Sequence, residues 1–225
     1  MIGALRVRGS IRLGASILAV VAALGLWCGI DLFGPRRVDI RVFDPDEVAR
    51  LDTSMWRSYY DRKPVPLFFQ LAELMRRQFH FPFLRSHLAA FYAADAAFVF
   101  KRGHGRADYL KALPQLGSYY QSIRDLSTTP FDVRRTSELE LEWWIAHREG
   151  WGRPSGDLEH ALAGAAAELY CVPIERTMEY ARWRAAAMKI RDARASSGGV
   201  TPDDWGRIEN DLRRSWRSLR ASVGP

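Results

Sequence analysis

Cysteine is nearly absent. Cys28 and Cys171 are the only two, and Cys28 lies in an apolar run far from the other, so no disulfide framework is expected. Lysine is scarce too: Lys63, Lys101, Lys111 and Lys189 are the full set, and the net charge of +7 rests on arginine. That charge suits nucleic acid or an anionic bilayer, but it equally describes an ordinary solvated surface. Metal-ligand spacings are also missing. The chain has no Glu-x-x-His, which excludes the familiar carboxylate-bridged dimetal bundle, because that spacing turns both ligands to one face of a helix. It has no His-Glu-x-x-His, no paired-cysteine zinc motif and no Cys-x-x-Cys-His haem attachment. A Walker lysine motif and a Gly-x-Ser-x-Gly elbow are absent as well. "GHGRAD" (103–108) lacks a third glycine and a preceding strand, and reads as a turn between helices. No cofactor and no metal are therefore expected. Strand alternation bounded by turns is missing too; "VDIRVF" (38–43) alternates but stands alone.

What is present begins with an apolar run. A basic tail (1–12) carrying Arg6, Arg8 and Arg12 leads into the segment Leu13 to Phe33, whose one charge, Asp31, lies near its end. As a helix this segment would cross about 30 Å of hydrocarbon. It ends in "LWCGIDLFG", which offers no small-x-small cleavage site, and Trp27 before Cys28 argues against a lipoprotein signal. We expect a single-pass signal anchor (13–33) in a bacterial inner membrane, followed by a linker (34–42). Arg6, Arg8 and Arg12 favour a cytoplasmic N-terminus, which would place the domain in the periplasm, although Arg36, Arg37 and Arg41 pull the other way.

Beyond the linker the punctuation is helical. Asp44-Pro45 and Thr201-Pro202 pair a capping side chain with proline at the first helical position, and Thr129-Pro130 or Asp132 offers another start. The pattern predicts eight helices after the anchor, near 45–60, 66–79, 82–102, 106–126, 131–149, 156–171, 173–195 and 202–222. The expected fold is all-α. The order of aromatic and basic residues also repeats. Phe43-Asp44 matches Phe131-Asp132, Met55-Trp56 matches Trp143-Trp144, and Arg85-Ser86 matches Arg176-Thr177. Tyr120 then matches Trp216, and Ser122-Ile-Arg matches Ser218-Leu-Arg. This predicts two duplicated four-helix units, 43–129 and 130–225, packed as one domain without a tetratricopeptide consensus.

The densest cluster of reactive side chains is "ELELEWWIAHRE" (138–149). On a helix Glu138, Glu142 and Glu149 fall within about 40° of one another, while Glu140 and His147 share another face. Glu138, Glu142 and His147 are the candidate acid/base residues, with a carboxylate raised by burial. Against that stands an arginine–glutamate network that locks a central helix. His80 and His87 flank "FPFL" and are the metal-ligand candidates, set against capping or packing roles. Arginines and tryptophans mingle in the last two helices, but interspersed acids and the repeat pattern make those aromatics core residues, so nucleic acid is an unlikely partner. The reading this leaves is a membrane-anchored helical scaffold or accessory protein that acts by protein–protein interaction. The alternatives are an enzyme or metal-dependent protein using the Glu/His face, and a basic surface that meets anionic lipid or nucleic acid.

Overall fold

The computed structural model describes residues 3–150, 156–195 and 198–224, and the chain there is helical, as the periodicity predicts. A long helix, α1 (Gly3–Phe33), comes first. It is followed by α2 (Pro45–Tyr60), α3 (Pro64–Phe79), α4 (Phe83–Arg102), α5 (Arg106–Tyr109) and α6 (Leu113–Leu126). Then come α7 (Val133–Glu149), α8 (Gly156–Tyr170), α9 (Met178–Ala195) and α10 (Pro202–Val223).

Local chemistry fixes the helix ends. The Asp44 carboxylate caps α2 by accepting from the backbone N–H of Asp46 and Glu47. Asp132 caps α7 through Arg135 N–H, and Thr201 forms a reciprocal capping box with Asp204 at the start of α10. The single helix expected over 106–126 is broken: α5 passes through a 3-10 turn (Leu110–Ala112) into α6. Pro114 supplies the reason, since it has no N–H to give a carbonyl one turn back. The segment expected from 173 likewise opens as a 3-10 turn, Ile174–Thr177, before α9 begins at Met178.

Short connections make successive helices antiparallel. From α2 to α10 the main contacts run between chain neighbours, with the small α5 set against α4 and α7, and α10 packs back on α2, so the helices close into a ring. The core lies inside that ring, with Val48, Met75, Leu116, Ile123, Leu141, Ile208 and Leu212 all essentially sealed from solvent. The stretch expected as a linker takes part in it. Ile40 is fully buried, and Val38 exchanges backbone hydrogen bonds with the end of α6, donating to Leu126 O (2.8 Å) and accepting from Thr128 N (2.9 Å).

The halves place similar contacts at the positions the sequence aligns. Phe43 meets Trp216 edge-on at 5.9 Å, and Phe131 meets Tyr120 edge-on at 6.4 Å. Ser86 and Thr177 are both fully buried, and each donates its hydroxyl to the carbonyl three residues back, Phe83 O and Ile174 O. His80 and Cys171 end α3 and α8 in the left-handed conformation (φ 56° and 52°), two residues before a proline in each case.

Helix α1 touches the ring only through α4, among the larger contacts. Its segment Ser16–Phe33 is long and apolar enough to cross a membrane, and apart from the end that carries Asp31 it is largely exposed on the outside of the protein. The structure explains the charge at its end. The Asp31 carboxylate is buried and accepts from the backbone N–H of Leu84 (2.9 Å) and Arg85 (3.3 Å). These are among the first N–H groups of α4, which have no partner within their own helix. Helix α4 follows Pro82, which has no capping side chain, so α1 caps it instead. Arg85 completes the joint by donating to Asp31 O at 2.7 Å and to Gly34 O.

Because Ile40 is part of the core, Ile40→Ala should lower stability by about 2–5 kcal/mol. Denaturant unfolding of the full chain in detergent measures this, and a change within error would show that the 34–42 segment is only a tether.

Candidate functional site

The inward faces of α2, α7 and α9 carry two polar layers across the ring. The deeper layer is built on Asp52, which is 1% exposed. Its Oδ2 accepts from Arg184 Nη1 (2.5 Å) and from the Trp216 indole N–H (2.9 Å), while its Oδ1 has no hydrogen-bond partner. The Arg184 guanidinium lies over two indoles, Trp56 at 5.5 Å and Trp216 at 5.7 Å. One arginine from α9 therefore joins an acid on α2 to aromatics on α2 and α10, and the aromatic faces contribute a further attraction to the cation. Burial opposes the charge on Arg184, but Asp52 beside it pushes the guanidinium pKa up, so the guanidinium stays charged.

Glu140 is the other acid of this layer. Tyr120 donates its hydroxyl to Oε2 (2.9 Å), and the Trp144 indole donates to Oε1 (3.0 Å). Burial pushes its carboxyl above the ordinary value, against the lowering effect of hydrogen bonds from Trp143, Tyr120 and Trp144 and of the more distant Arg184 charge. Around it, burial also raises the phenols of Tyr119, Tyr120 and Tyr170, and pushes Tyr180 up to about 12.

The second layer lies nearer the C-terminal ends of the same three helices. His147 Nε2 sits 2.8 Å from Asp192 Oδ2, and Arg191 Nη1 donates to Asp192 Oδ1 at 2.9 Å. Arg191 also stacks on the Tyr60 ring at 3.4 Å. Burial would raise the Asp192 carboxyl, but the hydrogen bonds from His147 and Arg191 outweigh it and hold the group below its ordinary value. Burial pushes the Tyr60 phenol up to about 12.

The predicted acid/base residues do not assemble. Glu142 points outward to a bidentate pair with Arg106 of α5 (Nη1 to Oε2, 3.2 Å). Glu138 pairs along its own helix with Arg134 (3.2 Å), and both line an open groove between α4, α6 and α7. His147 faces the other way, into the ring, where its partner is Asp192. The two histidines expected as metal-ligand candidates also part: His80 Nε2 lies 2.6 Å from Val42 O, and His87 Nδ1 lies 2.7 Å from Phe83 O. Among the described residues no group of three or more histidines, cysteines or acids is arranged to hold a metal.

Asp52 and Glu140 are the acids that sequence reasoning passed over. A signal for both was present, because the alignment of Phe43 with Phe131 also sets Asp52 against Glu140. Each then accepts from the aromatic residue of a matched pair, Trp216 for Asp52 and Tyr120 for Glu140. Comparison with protein families, curated proteins and solved structures finds no match to this chain.

Two outcomes follow from the deeper layer. Asp52→Ala should cost about 3–5 kcal/mol because it leaves Arg184 buried without its counter-charge, whereas Asp52→Leu with Arg184→Met should recover most of that loss. Denaturant midpoints of the three proteins test this, and a double variant no better than the single one would contradict it. The other outcome concerns pH. The native state keeps the Glu140 proton above 4.5, where an ordinary glutamate has released it. That contribution is complete at low pH and is lost as pH rises through the raised native value. The Asp192 contribution has the opposite sign and is lost as pH falls from 3.8 through its lowered native value, outside this window. Glu140→Gln should therefore flatten the fall in melting temperature from mildly acidic to neutral pH; parallel profiles for the two proteins would refute the assignment.

Proposed function

We propose that this protein is a single-pass scaffold or accessory subunit of the bacterial inner membrane that works by holding a protein partner. The carrying observation is the joint between α1 and α4. Asp31, Arg85 and Gly34 fix the end of the apolar helix to the first turn of α4, so the ring is presented at a set angle rather than on a loose tether. A fixed presentation serves assembly.

The side-chain chemistry supports the same reading. The acids and cations facing the ring interior are largely paired with one another, which suits a rigid frame. The arginines of α9 and α10 are mostly engaged: Arg184 with Asp52, Arg191 with Asp192, Arg194 with Asp204, Arg213 with Glu209, Arg217 with Asp46, and Arg214 over Trp183. This weighs against a nucleic-acid surface. Exposed apolar side chains gather instead on α4, where Leu88, Phe91 and Phe98 are each 44–57% exposed. They lie on one side of the helix, and an apolar stripe of this kind is informative in a way that a single exposed leucine is not. In this reading the protein partner docks there, on the periplasmic side of the membrane.

A photoreactive amino acid at Phe91 or Phe98 of the full-length protein in cells should give a discrete cross-linked product, and the same group at Lys189 should give none. Phe91→Ser with Phe98→Ser should abolish the cellular role, while Glu142→Gln and His147→Ala retain it. The converse pattern would move the function to the Glu/His face.

A further inference from the structure

The joint that fixes α1 also fixes the depth of the side chains next to it. Trp27 lies inside the apolar window, six residues before its end at Phe33. At the helical rise of about 1.5 Å per residue, it sits about 9 Å further into the span than Phe33. The ring of Phe83, the first residue of α4, is 6.4 Å from the ring of Trp27. Phe83 therefore cannot stay in water if the span is in hydrocarbon. The His87 ring lies 4.5 Å from Phe83, and the rings of Phe68 and Phe69 each lie 5.9 Å from His87. These contacts run without a break from the anchor onto the outer face of α3 and α4. They leave Phe83 47% and Phe69 57% exposed.

We infer that the outer surface of α3 and the first turns of α4, centred on Phe69, Phe83 and His87, inserts into the interfacial layer of the bilayer beside the anchor. This rests on the reading of α1 as a membrane span. The occupant is lipid because the patch continues the anchor's own apolar surface through the Trp27–Phe83 contact. Its polar border fits the same layer. Arg76 lies over the Phe83 ring at 5.6 Å, where its guanidinium can reach headgroups, and Arg36 and Arg37 are exposed just past the span. The nearby acid, Glu73, is paired with both Arg76 and Arg77 and so adds no uncompensated negative charge. Aromatic and arginine side chains together are the usual occupants of the membrane–water boundary. This inserted surface lies at the start of α4, whereas the partner-binding stripe at Phe91 and Phe98 lies further along it.

The test uses the full chain carrying Cys28→Ser and Cys171→Ser, reconstituted in vesicles of phosphatidylethanolamine and phosphatidylglycerol. A single environment-sensitive fluorophore is attached through Val20→Cys, Phe69→Cys or Arg182→Cys. The Val20 label should be quenched by lipids bearing a deep nitroxide. The Phe69 label should be blue-shifted and quenched by a shallow nitroxide, and the Arg182 label should behave as in water. A quenched Val20 label with a Phe69 label as hydrated as that at Arg182 would overturn the insertion and leave the anchor intact. An unquenched Val20 label would overturn both. Shielding of Phe69 without lipid quenching, increasing with protein concentration, would assign the face to a second copy of the chain and overturn the insertion. Adding Asp31→Ala should weaken shallow quenching at Phe69 while leaving Val20 quenched and the circular dichroism unchanged, because the joint then no longer holds the face against the bilayer.

Discussion

The ring depends on one buried ion pair. Asp52 and Arg184 meet where α2, α9 and α10 converge, and Trp56 and Trp216 cover the guanidinium on either side. Two charges brought out of water recover their desolvation cost only when geometry and hydrogen bonding are good. Here the pair has a short contact, an indole donor to the same oxygen and two aromatic faces. Asp52 Oδ1 remains without a partner, so compensation is incomplete. The first and last helices of the ring are thereby joined by an interaction that tolerates little displacement.

The halves of the ring solve the same packing problem with different chemistry. Each sets a phenylalanine before a capped helix, an acid along that helix, and an aromatic donor from the last helix of a unit. The difference lies at one position. Where the second half of the chain carries Arg184, the residue that the sequence alignment sets against it in the first half is Ala93. The arginine goes to Asp52, and Glu140 receives a phenol and indoles instead. Its carboxyl is accordingly raised by burial, while Asp52 beside Arg184 pushes the guanidinium pKa up. A like pair of acids in unlike surroundings follows from a single arginine.

Helix α1 is part of the same structural logic. An aspartate in an apolar run is costly unless something accounts for its charge. Here the free N–H groups at the start of α4 do so, and in return that helix gains a cap it does not carry itself. The interaction turns a tether into a support and fixes α1, with Trp27, against the start of α4.

Much of the fold was legible in the sequence because its signals are local. Proline after a capping residue set the starts of α2 and α10, and apolar periodicity marked the remaining helices. Pro114 was equally visible, but its effect on the continuity of 106–126 was not anticipated. The candidate site was less legible. Helical spacing put Glu138 and Glu142 on one face and His147 on another, and both statements hold for α7 alone. The neighbouring helices decided that the Glu138–Glu142 face looks outward, towards Arg106 and the groove, and that the Glu140–His147 face looks inward. The sequence by itself determined helices, caps, an apolar span and a repeated order of residues, since each depends on residues a turn or two apart. Only the tertiary structure decided that Asp52 takes Arg184, that Asp31 caps α4 and that Phe83 lies against Trp27, because those partners are brought together by ring closure and by the docking of α1, across separations that no local periodicity encodes.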